Sequence, residues 1–241
     1  MGVKAIAGEV LGKVVLFSFC SVFVVKQFAV FLAPFYHFVK YRKQGIPEFR
    51  NEILRAWRQS GKITSCNANL KVVKADVSDV NAVAAACKGN DVVISAYNPG
   101  WTNPNIYEET LHNYPLILEG VKLSGVNRLL CVGGAGTLFC APGLRVVDSG
   151  AIPEAIMGGV RSLGEFYLNT LVNEHDIDWV FFSPAGTLEP GERTGIFRLG
   201  KDDLIVDADG NSHISVEDYA MAMVDELEKP VHHFERFTIG Y

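Results

Sequence analysis

Short apolar runs and turns alternate along residues 70–100 of this chain. Residues 70–75, LKVVKA, form a mainly apolar run that stops at Asp76, and a second apolar run follows a Gly-Asn-Asp turn and ends at Tyr97. Continuously apolar runs of this length are typical of parallel strands that are buried on both faces. The intervening residues have a helical pattern, so the stretch predicts one β-α-β unit.

The same alternation continues to the end of the chain and predicts an α/β fold. Because the predicted strands are mainly apolar and do not alternate with polar residues, we expect helices on both faces of a Rossmann-like, doubly wound parallel sheet. Ser215 suits the N-cap of the last helix, since an acidic residue follows three positions later. The further predicted elements are helices over 114–124 and 161–174 and from 215 onward, and strands over 127–132, 178–183 and 236–239.

Residues at the ends of the first two strands indicate a ligand site. In open α/β sheets, ligands bind at the carboxyl ends of the strands. Asp76 and Val77 follow one strand, and Ser95, Ala96 and Tyr97 end the next. We therefore expect all five to lie along one edge of the sheet. The competing interpretation of Asp76 is structural, with its carboxylate capping a turn.

A glycine-rich segment, Gly133-Gly134-Ala135-Gly136, directly follows the strand predicted over 127–132. Residues without large side chains let a flat ring or a phosphate group approach the backbone closely. The alternative is a flexible exit from the strand that binds nothing. We favour ligand binding, because the segment would lie at the same edge as the two strand ends before it.

Residues from about 62 to 241 resemble the NmrA-like, NAD(P)H-binding branch of the atypical short-chain dehydrogenases/reductases. The resemblance rests on the segments KVVKADVSD, DVVISAYNPGWTNPNIYEE, RLLCVGGAGTLF, DWVFFSPAGTLEPGERTG and DGNSHISVEDYA. It implies a dinucleotide cofactor, NADP or NAD, and a small-molecule substrate. It also implies the cofactor-binding residues: Asp76 and Val77 near the adenosine, Ser95 and Ala96 near its ribose with Tyr97 completing that strand end, Gly133, Gly134 and Ala135 beside the nicotinamide, and Ser183, Pro184 and Ala185 closing over it.

Residues 1–61 depart from the family pattern. The family has its first β-α-β unit there, with a glycine-rich turn that holds the cofactor pyrophosphate at a helix N-terminus. The segment AIAGEVLGKVV contains only Gly8 and Gly12, which do not make the G-x-x-G-x-x-G turn. We therefore expect an impaired pyrophosphate site ahead of a Rossmann-like domain over residues 62–241.

The composition of this N-terminal part is also foreign to the rest. Residues 1–60 hold nine Lys and Arg against three Asp and Glu, whereas residues 61–241 hold thirteen against twenty-four. Between residues 14 and 39 the only charged residue is Lys26, and a membrane helix needs about 20 apolar residues. One interpretation is a membrane anchor with the main domain in the cytosol, although a central lysine costs roughly 2.5–3.5 kcal/mol on insertion.

Three other interpretations of this segment stay open. Residues 14–25 could be the apolar core of a signal peptide. They could instead form a central strand in place of the missing one, because they are rich in β-branched and aromatic residues. An altered reading frame or first exon would also account for the composition. Without an anchor, we expect a cytoplasmic protein.

The cysteines and histidines do not form a metal-binding pattern. The five cysteines have no paired spacing, and Cys87 and Cys131 fall in predicted core elements, which indicates a reducing compartment and no metal site. The acidic main part of the chain lacks a basic stripe, which argues against nucleic acid as a partner.

The catalytic residues are less well defined. Reductases of the superfamily often use a Tyr and a Lys four residues apart to protonate a carbonyl. The two candidates near the predicted ligand edge, Tyr97 and Tyr107, lack that lysine, and each is also explained as a packed aromatic residue. Two functions follow from the sequence. One is an NAD(P)H-dependent reductase of a small carbonyl or quinone-like acceptor; the other is a non-catalytic module, including a membrane-tethered pseudoenzyme, that senses dinucleotides or binds a protein.

Overall fold

The computed structural model describes residues 75–241 and, before them, the backbone of four strands. These strands are β1 (Val14–Ser18), β2 (Ser21–Val25), β3 (Ile53–Trp57) and β4 (Leu70–Val73). The helices are α1 (Val80–Cys87), α2 (Ile106–Ser124), α3 (Glu154–Asn169) and α4 (Val216–Glu228). The later strands are β5 (Val92–Ala96), β6 (Arg128–Val132), β7 (Phe139–Ala141), β8 (Leu144–Arg145), β9 (Asp178–Ser183), β10 (Thr187–Glu189), β11 (Arg198–Gly200), β12 (His213–Ser215) and β13 (Glu235–Gly240).

Most of these strands form one sheet, which confirms the α/β, Rossmann-like fold. Within the described chain its order is β11-β13-β9-β6-β5-β1-β2-β3-β4. The strands run parallel except β2 and β11, which are antiparallel to their neighbours. The common doubly wound order places two strands between the third and the fourth. Here three strands separate β4 from β5, because β1, β2 and β3 form an antiparallel meander.

Helices cover both faces of the sheet, as the apolar strands predicted. Alternate residues of each strand point to opposite faces. Leu129, Cys131 and Phe181 pack under α1, α2 and α3. Leu130 and Phe182, one residue along, pack with α4 on the other face. Cys87 and Cys131 are both fully buried, as expected for core positions, and burial raises the pKa of the Cys131 thiol to about 12.

Two helices begin earlier than the sequence predicted. Helix α2 starts eight residues before position 114 and passes through Pro115, and α3 starts directly after Pro153 and ends at Asn169. Glycine disfavours a helix interior on propensity alone, and α3 contains Gly158, Gly159 and Gly164. Their role is close packing, since a Cβ atom on Gly159 would lie 2.7 Å from both Ile106 and Trp101.

The interpretation of residues 14–39 as a membrane anchor conflicts with the sheet in its first half. Residues 14–18 and 21–25 are β1 and β2, and β1 pairs in parallel with β5. Residues 26–39 lie outside the described residues. None of the described helices is long and apolar enough to cross a membrane.

Candidate functional site

The strand ends that the sequence singled out lie on one edge of the sheet. Because β4, β5, β6 and β9 all run in the same direction, their carboxyl ends face the same side. The ends of β5, β6 and β9 are immediate neighbours. The end of β4 lies four strand positions from β5, which corresponds to about 19 Å. The predicted adenosine residues are therefore well separated from the rest.

Asp76 forms a capped turn after β4. Its Oδ1 atom accepts hydrogen bonds from the backbone N–H of Ser78 at 3.1 Å and from the Ser78 hydroxyl at 2.8 Å. Its carbonyl oxygen accepts from the N–H of Asp79, and the Asp79 side chain caps α1. The side chain of Val77 is buried in the core. The turn-capping interpretation of Asp76 thus accounts for these contacts, and a contact with adenosine stays a prediction.

The end of β5 is enclosed. Ser95, Ala96 and Tyr97 are at most 5% exposed. The Tyr97 hydroxyl accepts a hydrogen bond from the Asn113 side-chain amide at 2.7 Å, and its ring meets the Tyr114 ring edge-on. The partly exposed surface at this strand end comes from the next turn, where Asn98 Oδ1 accepts from the N–H of Gly100. Sequence reasoning missed this Asn-Pro-Gly turn, although its composition is a turn signal.

The glycine-rich segment after β6 divides into packing positions and open positions. A Cβ atom on Gly133 would lie 2.6 Å from the Phe181 ring, and one on Gly136 would lie 2.4 Å from Val160. At Gly134 a Cβ atom would meet only Leu163, at an ordinary 3.5 Å. Gly134 and Ala135 are also partly exposed. Backbone that a flat ring could approach therefore lies at these two residues.

The segment that follows β9 borders the glycine-rich segment. The N–H of Gly133 donates to the carbonyl oxygen of Phe182 at 2.8 Å, which joins the two strand ends. Ser183, Pro184 and Ala185 are all buried. Next to Ala185, the N–H of Gly186 donates to the Ser212 hydroxyl at 2.9 Å. This bond fixes the path of the chain as it leaves the edge.

The side chain of Tyr107, in the first turn of α2, contacts α3. Its hydroxyl donates to Glu165 Oε2 at 2.7 Å, which links α2 to α3, and this hydrogen bond raises the pKa of Tyr107. A catalytic acid must deliver its proton to the substrate, whereas the Tyr107 hydroxyl directs its proton at the Glu165 carboxylate. The chain does contain one Tyr-x-x-x-Lys spacing that sequence reasoning overlooked, Tyr36 and Lys40, which lies outside the described residues.

The described edge does not offer every contact that a dinucleotide makes in such folds. The backbone at Gly134 and Ala135 is open to a flat ring, and a nicotinamide at that place stays a prediction. A pyrophosphate in such folds needs a helix N-terminus after the first strand. Only two residues separate β1 from β2, and the two strands are antiparallel. No helix can follow β1, so the described strands supply no pyrophosphate site of that kind.

The sequence and the fold both match proteins that are already known. Residues 51–230 match the sequence profile of a family described as NAD(P)H-binding. The YwnB protein of Bacillus subtilis (strain 168), which is uncharacterized, is 38% identical over 199 residues, covering 78% of this chain and 92% of YwnB.

Two solved structures are also similar. A candidate epimerase from Bacteroides thetaiotaomicron is 62% identical, with a TM-score of 0.73, over 77% of this chain and 83% of that protein. A candidate NADH-flavin reductase from Streptococcus pneumoniae TIGR4 is 29% identical, with a TM-score of 0.62, over 74% of this chain and 84% of that protein.

Proposed function

Because the chain belongs to the NAD(P)H-binding family, we propose that it is an NAD(P)H-dependent reductase of a small, quinone-like or carbonyl acceptor. The observation that most supports this proposal is the open backbone of Gly134 and Ala135 next to the buried end of β9. When bound, the cofactor supplies a hydride. The residues of the chain hold the nicotinamide flat against the backbone and keep water from one of its faces.

The affinity for the cofactor depends on contacts beyond the usual turn. Since β1 leads directly into β2, the pyrophosphate gains no hydrogen bonds from a helix N-terminus after β1. We therefore expect a dissociation constant that is micromolar or higher. A micromolar constant corresponds to a binding free energy of about −8 kcal/mol. NADPH and NADH should both bind through the nicotinamide half, which they share.

The residues near the edge favour a quinone-like acceptor over an aliphatic carbonyl. Reduction of an aliphatic carbonyl forms a strongly basic oxyanion that needs a positioned acid. Tyr97 is enclosed in the core, and Tyr107 donates to Glu165. A reduced quinone is a phenol, with a pKa of about 10 for groups of that kind, so water can protonate it without help from the protein.

The first experiment measures NADPH and NADH binding to residues 1–241 by calorimetry, with circular dichroism to show a folded α/β chain. NADPH oxidation is then followed with a small quinone and with an aliphatic aldehyde. Binding of NADPH or NADH, together with faster turnover of the quinone than of the aldehyde, supports the proposal. Binding without turnover of either favours the dinucleotide-sensing alternative, and a folded chain that binds neither cofactor refutes the proposal.

A further inference from the structure

A cavity of about 500 Å³ opens immediately beyond the β9 end of the site. It lies along β10 and β12, which pair in parallel, and Tyr241 forms one wall. Its first lining residue, Thr187, is two residues from Ala185, which is at most about 7 Å along an extended chain. The volume is in the range of pockets that bind small organic molecules, roughly 300–1,000 Å³.

The interior of this cavity is suited to a flat, apolar ring. Ile196 and Ile214 line it. The rings of His213 and Tyr241 lie 5.1 Å apart, tilted by 58°. Aromatic walls of this kind bind planar ligands by stacked or edge-on contacts. An aromatic molecule would therefore gain more from this cavity than a flexible polar one.

The walls are fixed by one buried carboxylate beneath them. Asp218 is fully buried and accepts from the Thr194 hydroxyl at 2.6 Å, the Gly195 N–H at 2.8 Å and the Tyr241 hydroxyl at 2.7 Å. These bonds connect α4 to two sides of the cavity. Because the walls are held before any ligand arrives, binding requires little rearrangement.

The charge at the entrance is negative. Glu189 and Glu192 line the cavity and are exposed, and in the described part of the chain neither forms an ion pair. A third carboxylate, that of Glu217, accepts from the N–H of Gly191. Two guanidinium groups of the described residues lie nearby: the Nε–H group of Arg193 points to the sulfur of Met221 at 3.2 Å, and Arg198 donates to the carbonyl oxygen of Tyr241. Because the carboxylates of Glu189, Glu192 and Glu217 outnumber these two guanidinium groups, an anion entering here would meet a net negative charge.

We propose that this cavity binds the electron acceptor, and that it selects flat aromatic acceptors that are uncharged or cationic over anionic ones. The inference rests on the proposed reductase function. In the reaction, the acceptor takes the hydride at one atom and one proton from water at another, and so gains two electrons. The dinucleotide loses the same two electrons and leaves oxidised.

Riboflavin and flavin mononucleotide test the charge selection, because they share one ring system and differ by a phosphate group. Binding of each to the full chain is measured by fluorescence anisotropy, without cofactor. We expect riboflavin to bind at least about tenfold more tightly at low salt, and the difference to shrink as salt screens the carboxylates.

Variants that remove carboxylates test which residues cause the preference for riboflavin. The Glu189→Gln/Glu192→Gln variant should bring the two affinities within about threefold of each other. The control variant, Glu108→Gln/Glu119→Gln, removes the same charge from exposed positions of α2 and should leave the ratio unchanged. In the same assay, Ile196→Ala should weaken riboflavin binding, whereas Leu199→Ala, outside this cavity, should not.

The outcomes separate this inference from the proposed function. Equal binding of the two flavins, or an unchanged ratio in the Glu189→Gln/Glu192→Gln variant, overturns the charge selection even if NADPH binds and is oxidised. The expected flavin ratio in a chain that binds no NADPH would support the cavity as an aromatic-binding site and refute the reductase function.

Discussion

The guanidinium of Arg236 lies over the ring of Tyr167, with 4.9 Å from its Cζ atom to the ring centroid. The same group donates to the Thr137 hydroxyl at 2.8 Å and also to Asp202. Tyr167 stacks in turn on Phe181 at 4.5 Å, the ring that lies against Gly133. One buried cation thus supports both ends of the glycine-rich segment.

Loss of this cation should destabilise the fold. Arg236→Met leaves the buried Thr137 hydroxyl without its donor and removes the contact with Tyr167, so we expect a loss of about 2–4 kcal/mol. Urea unfolding measures it. Lys201→Met is the matched control, because the ion pair of Lys201 with Glu235 is exposed. This variant should have nearly the same free energy of unfolding as the wild type. An unfolding midpoint equal to that of the wild type for Arg236→Met would contradict this role.

Gly133 and Gly134 should respond differently to alanine. At Gly133 the new methyl group would overlap the Phe181 ring, and we expect a loss of about 1–3 kcal/mol. At Gly134 the backbone is extended and only Leu163 is in ordinary contact, so stability should stay within about 0.5 kcal/mol.

The Gly134→Ala variant then tests cofactor binding in a fully folded protein. If the nicotinamide approaches this backbone, the methyl group should weaken NADPH binding about tenfold, or 1.4 kcal/mol. Calorimetry on wild type and variant gives the ratio. Equal affinities would show that the nicotinamide lies elsewhere.

The Asp218 carboxylate should make stability depend on pH. Burial raises its pKa, but the hydrogen bonds from Thr194, Gly195 and Tyr241 outweigh burial, and the net pKa lies below the usual value. Because the pKa is lower in the folded state, the ionised carboxylate stabilises the fold at pH values above the unfolded-state pKa, about 3.9. This contribution disappears as the pH falls through the folded-state pKa.

Asp218→Asn isolates that contribution. At pH 7 we expect the variant to be less stable by about 1.5–3 kcal/mol. Urea unfolding at a series of pH values should show the gap between wild type and variant narrowing below about pH 4. A gap that is constant from pH 7 to pH 3 would mean that the ionised form has no special role.

Tyr107 should prove dispensable for turnover. A positioned general acid contributes about 10²–10⁴-fold, whereas the Tyr107 hydroxyl donates to Glu165. We therefore expect Tyr107→Phe to reduce kcat for a quinone by no more than a few-fold. A hundredfold reduction with unchanged thermal stability would identify Tyr107 as the acid after all.

Local patterns predicted some elements well and left others undetermined. The apolar run at residues 178–183 coincides with β9, and Ser215 caps α4 as its position suggested, because burial and capping act over a few neighbouring residues. The start of α3 was missed since the gain from packing at Gly159 comes from α2, far away in sequence. The contacts of Arg236 with Thr137 join positions 99 residues apart, and no local signal reports such a pair.

The candidate site followed the same rule. The strand ends themselves were predictable from the parallel order, but whether a residue at an end faces a ligand depends on what packs over it. Tyr97 is covered by Asn113 and Tyr114, and Gly133 packs closely against the Phe181 ring. The cavity next to Thr187 is built from residues that come together only in the folded chain.

The antiparallel pairing of β1 and β2 sets a condition on any attempt to graft a strong cofactor site onto this scaffold. Glycine substitutions in the two-residue connection would leave the next strand pointing the wrong way. A parallel return needs a crossover of about a dozen residues or more. A successful graft would therefore exchange the whole meander for a strand, a helix and a second strand. The redesign must change the direction of the strand that follows β1, and not only the residues of the turn.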